Sequence, residues 1–167
     1  MKRITVKELT KYKTAINGTR RDVTLAILLI PPTVTRSTRV VKTTPVAVSF
    51  PAGTNVVGIA ASQSQSYAWT DNGLLYAWGY NGADNLGLDD STHRNTPTLV
   101  TALNGEHVVD VTASQHHAIA RCDDGTYFGW SGNNYRCLSM DVPAQGVTPL
   151  ARLNALDLVK VRTGNDH

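Results

Sequence analysis

An all-β fold built from repeated sheets, part of a β-propeller, is predicted by three observations. Prolines recur at an interval of 52 residues: Thr44-Pro45 before VAVSF, Thr96-Pro97 before TLVTAL, and Thr148-Pro149 before LARLN. The text between the prolines repeats as well. Each unit is rich in strand formers cut by turn residues, and self-similarity at this period with that composition indicates a propeller. About two full units fit in 167 residues, so the chain reads as part of a larger closed object.

The repeat is ungapped. Val56–Leu88 overlays Val108–Met140 with eleven identities in 33 positions, among them Ser62/Ser114, Ala68/Ala120, Asp71/Asp123, Gly73/Gly125, Trp78/Trp130, Asn81/Asn133 and Leu86/Leu138. Residues 43–167 are read as the incomplete propeller, with units at about 55–107 and 108–157 and a third beginning at Leu158. Thr43–Pro51 has the character of the tail of an earlier unit.

Residues 1–42 form a basic front segment, with ten Lys or Arg against Glu8 and Asp22. Thr5-x-x-Glu8 has the form of a capping box, and Leu9, Tyr12 and Ile16 follow at helical spacing, predicting a short helix over 6–16. The run VTLAILLI at 23–30, closed by Pro31-Pro32, is too short to span a membrane. It reads as a buried strand or as a segment packed on the first blade; export is disfavoured because no small-x-small cleavage site follows closely.

Within each unit the expected strands are VVGIAAS, SYAWT, LLYAWG and TLVTAL. Asp71-Asn72-Gly73 between two of them is a hairpin signal in which both central residues are expected at positive φ, and Asp123-Asp124-Gly125 repeats it. Pro97 and Pro149 are expected to open a strand at a sheet edge, where a missing N–H is tolerated. Small residues (Ala60, Ala61, Ala68, Ala77) alternate with large ones (Tyr67, Trp69, Tyr76, Trp78), which suits sheets stacked face to face.

The stretch IAASQSQSYAWTDNGLLYAWGYNGADNLGL resembles the regulator-of-chromosome-condensation repeat, on the strength of the Asn-Gly and Asp-Gly turns, Trp78-Gly79, Asn81 and Leu86-Gly87. The resemblance covers about residues 43–167 and implies four-stranded blades around an axis, seven of them in the family. Departures are concentrated in the second unit, where Ser131 follows Trp130 and the Gly-x-Leu-Gly tail is Arg136-Cys137-Leu138-Ser139. The pattern's early glycine is Ser62 and Ser114, and its histidine is Gln65 in one unit and His117 in the next. The resemblance implies that this histidine is structural, bonding backbone between strands.

The net charge of +3 divides unevenly, into +8 over residues 1–42 and −5 over 43–167. A mildly acidic repeat body argues against gripping a phosphate backbone, and the basic front reads as a solvated tail before a nucleic-acid contact. Cys122 and Cys137 lack metal-type spacing and are expected as free thiols. His116-His117 beside Asp123-Asp124 is the single metal-like cluster, but neighbouring strand residues point to opposite faces. No cofactor, metal or small-molecule substrate is therefore expected. Trp69, opposite Arg121 in the overlay, is expected to face solvent.

Propellers carry function on loops at one end of the ring. The leading expectation is a non-enzymatic module binding a protein partner through Tyr80, Asp84, Arg94, Tyr135 and Arg136. The resemblance also implies a guanine-nucleotide exchange factor acting on a small GTPase, or secreted bacterial propellers. A repeat body with Lys160 as its single lysine leans towards the bacterial, extracytoplasmic kind. A further reading is a chain inactive alone, or one whose copies associate to complete a ring.

Overall fold

A computed structural model describes residues 26–27, 46–130, 138, 146–156, 158 and 160–163. The helix expected over 6–16 lies outside them, as do Tyr135 and Arg136.

Two four-stranded antiparallel sheets follow one another in the chain. The first runs β3 (Val56–Ala61), β4 (Gln65–Thr70), β5 (Leu75–Gly79) and β6 (Arg94–Leu99), each strand beside its predecessor. The second runs β7 (Val108–Ala113), β8 (Ala118–Cys122), β9 (Tyr127–Trp130) and β10 (Thr148–Pro149) in the same order. A one-turn helix, α1 (Ala151–Asn154), closes the second unit. Ahead of the first sheet, β1 (Ala26–Ile27) pairs with β2 (Val46–Ala47).

The repeat extends to irregularities. Register shifts between Val56 and Gly58 in the first sheet and between Val108 and Asp110 in the second, so Val57 and Val109 are equivalent bulges. The hairpin turns also match: Thr70 N–H donates to the Leu74 carbonyl at 3.0 Å, and Cys122 N–H to that of Thr126 at 2.8 Å. Their conformation corrects the expectation drawn from sequence. Gly73 (φ +80) and Gly125 (φ +88) are left-handed while Asn72 and Asp124 are not, which is a longer turn with one left-handed residue rather than a two-residue mirror turn. At Gly73 a side chain has no room, because an added Cβ would lie 2.6 Å from His107 Cα.

The prolines are also placed differently. Pro97 sits inside β6, between Arg94, paired with Gly79, and Thr98, paired with Ala77. β6 is an edge strand and its register slips across this stretch, so the missing N–H removes no ladder bond. Strand pairing therefore begins at Arg94, within the polar run that reads as loop in sequence.

The sheets stack through one apolar layer. Tyr67, Leu75, Ala77 and Leu86 face Val108, Val111, Ala118, Ala120, Cys122 and Trp130, with Val100 and Leu103 sealing the connection. The alanines are fully buried and let the large rings meet: Tyr67 lies edge-on to Trp130 with centroids 5.9 Å apart. Trp69 is half-buried and turned over Gly58, an added Cβ of which would meet its ring at 2.1 Å, instead of facing solvent.

Candidate functional site

The Tyr80–His93 connection between β5 and β6 is the longest described loop, and three side chains build it. Asn81 is fully buried: its Oδ1 accepts the Leu86 N–H at 2.8 Å, and its Nδ2 donates to the Asp90 carbonyl at 2.7 Å and to Asp90 Oδ1 at 3.0 Å. Asp84 is also fully buried. Its Oδ1 accepts the N–H groups of Leu88 (2.8 Å) and Asp89 (3.0 Å), and its Oδ2 accepts that of Gly146 (2.8 Å), from the second unit. Burial pushes the Asp84 carboxyl above the ordinary carboxylate range, against the opposing pull of those three N–H groups. The third brace is Arg94, which donates to Asp90 Oδ2 and to the Thr92 carbonyl, both at 2.5 Å. The Arg94 guanidinium holds the exposed Asp90 carboxyl below its ordinary range.

Leu86-Gly87 turns the loop onto the next sheet. Gly87 is left-handed (φ +68), and an added Cβ would stand 3.0 Å from Trp130 Cδ1 and from Val147 Cγ2. At the same point the Asn85 carbonyl accepts two donors, Tyr67 Oη at 2.5 Å and Trp130 Nε1 at 3.1 Å. Asn81, Leu86, Gly87 and Trp130 therefore act as one device that locks a loop between two sheets.

The accessible part of the loop is aromatic. Tyr80, half-buried, stacks on the exposed His93 ring at 4.7 Å with 29° between planes, and the Asn81 N–H donates to His93 Nδ1 at 2.9 Å. That bond requires a lone pair on Nδ1, which places any ring proton on Nε2. His93 escaped the sequence reading because Gln145 stands at its repeat position, so no repetition flags it.

Of the five residues singled out from sequence, Tyr80 is at the loop surface, Arg94 is half-buried as a brace, and Asp84 is internal. Tyr135 and Arg136 lie outside the described residues. His117 is buried in the β7–β8 turn, its Nδ1 2.9 Å from Ser114 Oγ, and that hydroxyl also accepts the His117 N–H at 3.1 Å. Ser62 donates to Gln65 in the equivalent turn. One bond of the ring is thus to a hydroxyl within its own turn. Cys122 is a buried free thiol. Among the described residues no group of three His, Cys, Asp or Glu is gathered as a metal site requires.

Comparison with known proteins follows the same lines. Residues 72–121 match the model of the Regulator of chromosome condensation (RCC1) repeat. The human E3 ubiquitin-protein ligase HERC2 is 35% identical over 118 residues, covering 68% of this chain and 2% of that protein. The solved structure of human WBSCR16 is 27% identical with a TM-score of 0.56, over 60% of this chain and 26% of its own. Prp20p of Saccharomyces cerevisiae shares the fold at 20% identity and a TM-score of 0.54, over 64% of this chain and 28% of its own. The chain thus spans a small part of HERC2 and about a quarter of either solved propeller. With two sheets of the same register, the Asn81–Trp130 lock and these matches together, the chain belongs to the regulator-of-chromosome-condensation repeat family, and its two sheets are successive four-stranded propeller blades.

Proposed function

We propose that this chain supplies a protein-binding surface, without chemistry of its own, on the loops at one end of its blades. The observation that carries the reading is the Tyr80–His93 stack, held at the rim of a loop whose interior bonds are satisfied by Asn81, Asp84 and Arg94. Binding a partner costs little where the contact side chains are already fixed, and tyrosine and arginine are favoured interface anchors. Asp84 enters as a brace beneath that surface rather than as a contact. Tyr135 and Arg136 overlay Ala83 and Asp84 in the repeat, and are proposed to extend the same surface. Prp20p, whose fold the chain shares, has been characterised for its binding to Gsp1p and histones, which supports a protein partner as the class of ligand.

The test is quantitative capture. Partners enriched from cell extract by the parent chain are compared with those held by Tyr80→Ala, by Tyr135→Ala/Arg136→Ala, and by an exposed control, Thr101→Ala. Recovery of a partner is expected to fall about tenfold in the loop variants, as for loss of one interface anchor, and to stay level in the control. Level recovery in all three would remove the loops from the interface.

A further inference from the structure

Three pairs among the described residues set an asparagine before a glycine: Asn72-Gly73, Asn81-Gly82 and Asn104-Gly105. A fourth, Asn17-Gly18, lies outside the described residues. Asparagine is a thermolabile residue, and this pairing has a definite chemistry. The glycine amide nitrogen attacks the asparagine Cγ, and a five-membered imide closes. Ammonia leaves, made of the side-chain NH2 and the proton given up by the glycine N–H. Water then opens either carbonyl of the imide, leaving aspartate or isoaspartate. Glycine favours the attack because no Cβ hinders the approach of its nitrogen. Folding decides whether the two atoms can meet.

Two of the pairs are held. Asn81 is fully buried with both ends of its amide bonded, Oδ1 to the Leu86 N–H at 2.8 Å and Nδ2 to the Asp90 carbonyl at 2.7 Å. Asn72 is exposed, but its Oδ1 accepts the Thr70 hydroxyl. The Gly73 N–H that would attack it donates to the Thr70 carbonyl at 3.0 Å, and Gly73 itself is wedged against His107.

Asn104-Gly105, in the connection between the two sheets, differs on each count. Both residues are exposed, and nothing lies within 4 Å of a Cβ added at Gly105. Neither the Asn104 side-chain amide nor the Gly105 N–H makes a hydrogen bond among the described residues. The angles of Asn104 (φ −65, ψ 125) and Gly105 (φ +99) are those of a type II turn. It is closed by the Glu106 N–H, which donates to the Leu103 carbonyl at 3.1 Å. Attack requires ψ of Asn104 to rotate, which breaks that one turn bond. Local openings of this kind cost far less than unfolding the chain.

We infer that Asn104-Gly105 is a modification site, deamidating to aspartate and isoaspartate in the folded chain, while the bonds at Asn72-Gly73 and Asn81-Gly82 protect those pairs. Its position gives the change weight. On one side Leu103, 3% exposed, is set in the layer between the blades. On the other, the His107 carbonyl accepts the Asp123 N–H at 2.9 Å. Isoaspartate lengthens the main chain by a carbon between these fixed points, and either product adds a negative charge close to Glu106.

Peptide mapping of the full chain, aged in mildly alkaline buffer, tests this, with isoaspartate in each peptide counted by enzymatic carboxyl methylation. In the folded chain the Asn104-Gly105 peptide is expected to convert at least about tenfold faster than the peptides carrying the other two described pairs. In urea, where no fold protects any pair, the three rates are expected to converge to within about threefold. Comparable conversion of all three in the folded chain would overturn the assignment. So would a lead for Asn104-Gly105 that persists undiminished in urea, because the fold would then not be its cause.

Discussion

Asp84 shows how one residue can belong to a loop in sequence and to the core in structure. It stands among Asn and Gly, where an aspartate is ordinarily solvated. Yet it curls into the left-handed region (φ 53) and gives both oxygens to backbone N–H groups, one of them 62 positions away at Gly146. Asp84→Asn turns an amide donor towards one of those N–H groups. It is expected to cost about 1–3 kcal/mol at neutral pH, the usual result of leaving a buried donor unmatched. The pH dependence has a defined sign. A carboxyl raised by folding contributes stability that is full below its unfolded value, near 4, and is lost as pH rises through the raised one. The variant lacks that slope, so urea titrations should find the gap between parent and variant wider at about pH 4 than at about pH 7. A constant gap would mean that the carboxyl does not titrate abnormally. Cys122 offers a second check at this scale. Burial, with acidic Glu106, Asp124 and Asp123 nearby, pushes its thiol up to about 12, so it is protonated and shielded at neutral pH. In a Cys137→Ser background, alkylation of Cys122 should proceed at the rate of unfolding, and rapid labelling of the folded chain would contradict its placement.

Elements are where the sequence was most legible and where its limits are sharpest. Strand identity followed from β-branched and aromatic runs between turn residues, and the 52-residue overlay pairs Trp78 with Trp130, which are alike in the structure at 1% and 0% exposure. Two things did not follow. Pro97 reads as a strand opener, but a slip in pairing lets β6 begin three residues earlier, and register slips leave no residue-type signature. The Asn85 carbonyl that joins the blades is a backbone group, and composition says nothing of where a carbonyl points. The paired turns separate local strain from crowding. Gly73 and Gly125 share a left-handed conformation, but an alanine Cβ at 73 would strike His107 while at 125 nothing lies within 4 Å. Gly125→Ala should therefore cost about 1 kcal/mol, the left-handed penalty alone. Gly73→Ala should cost at least about twice that, since His107 backbone must move. Chemical denaturation of the two variants measures the difference, and equal losses would show that the contact with His107 is readily relieved.

At the scale of the molecule, the question is whether two blades are two stability units or one. The two sheets share one apolar layer, to which both contribute buried side chains. Trp130 concentrates this coupling: its ring meets Tyr67 and Gly87, and its N–H ends on Asn85, all in the first blade. Repeat proteins gain stability from nearest-neighbour interfaces more than from single units, because one sheet cannot bury both faces by itself. Trp130→Phe keeps most of the apolar volume and removes the indole donor, leaving the Asn85 carbonyl with the Tyr67 hydroxyl. It should cost about 1–2 kcal/mol, the loss of one buried hydrogen bond with a small void. The location of that loss is the informative part. If the layer couples the blades, amide exchange in β4 of the first blade should accelerate by the same factor as in β8 of the second, although the substitution lies in the second sheet alone. Acceleration confined to β8 and β9 would instead make each blade fold on its own, with the lock at Asn85 a contact between finished units.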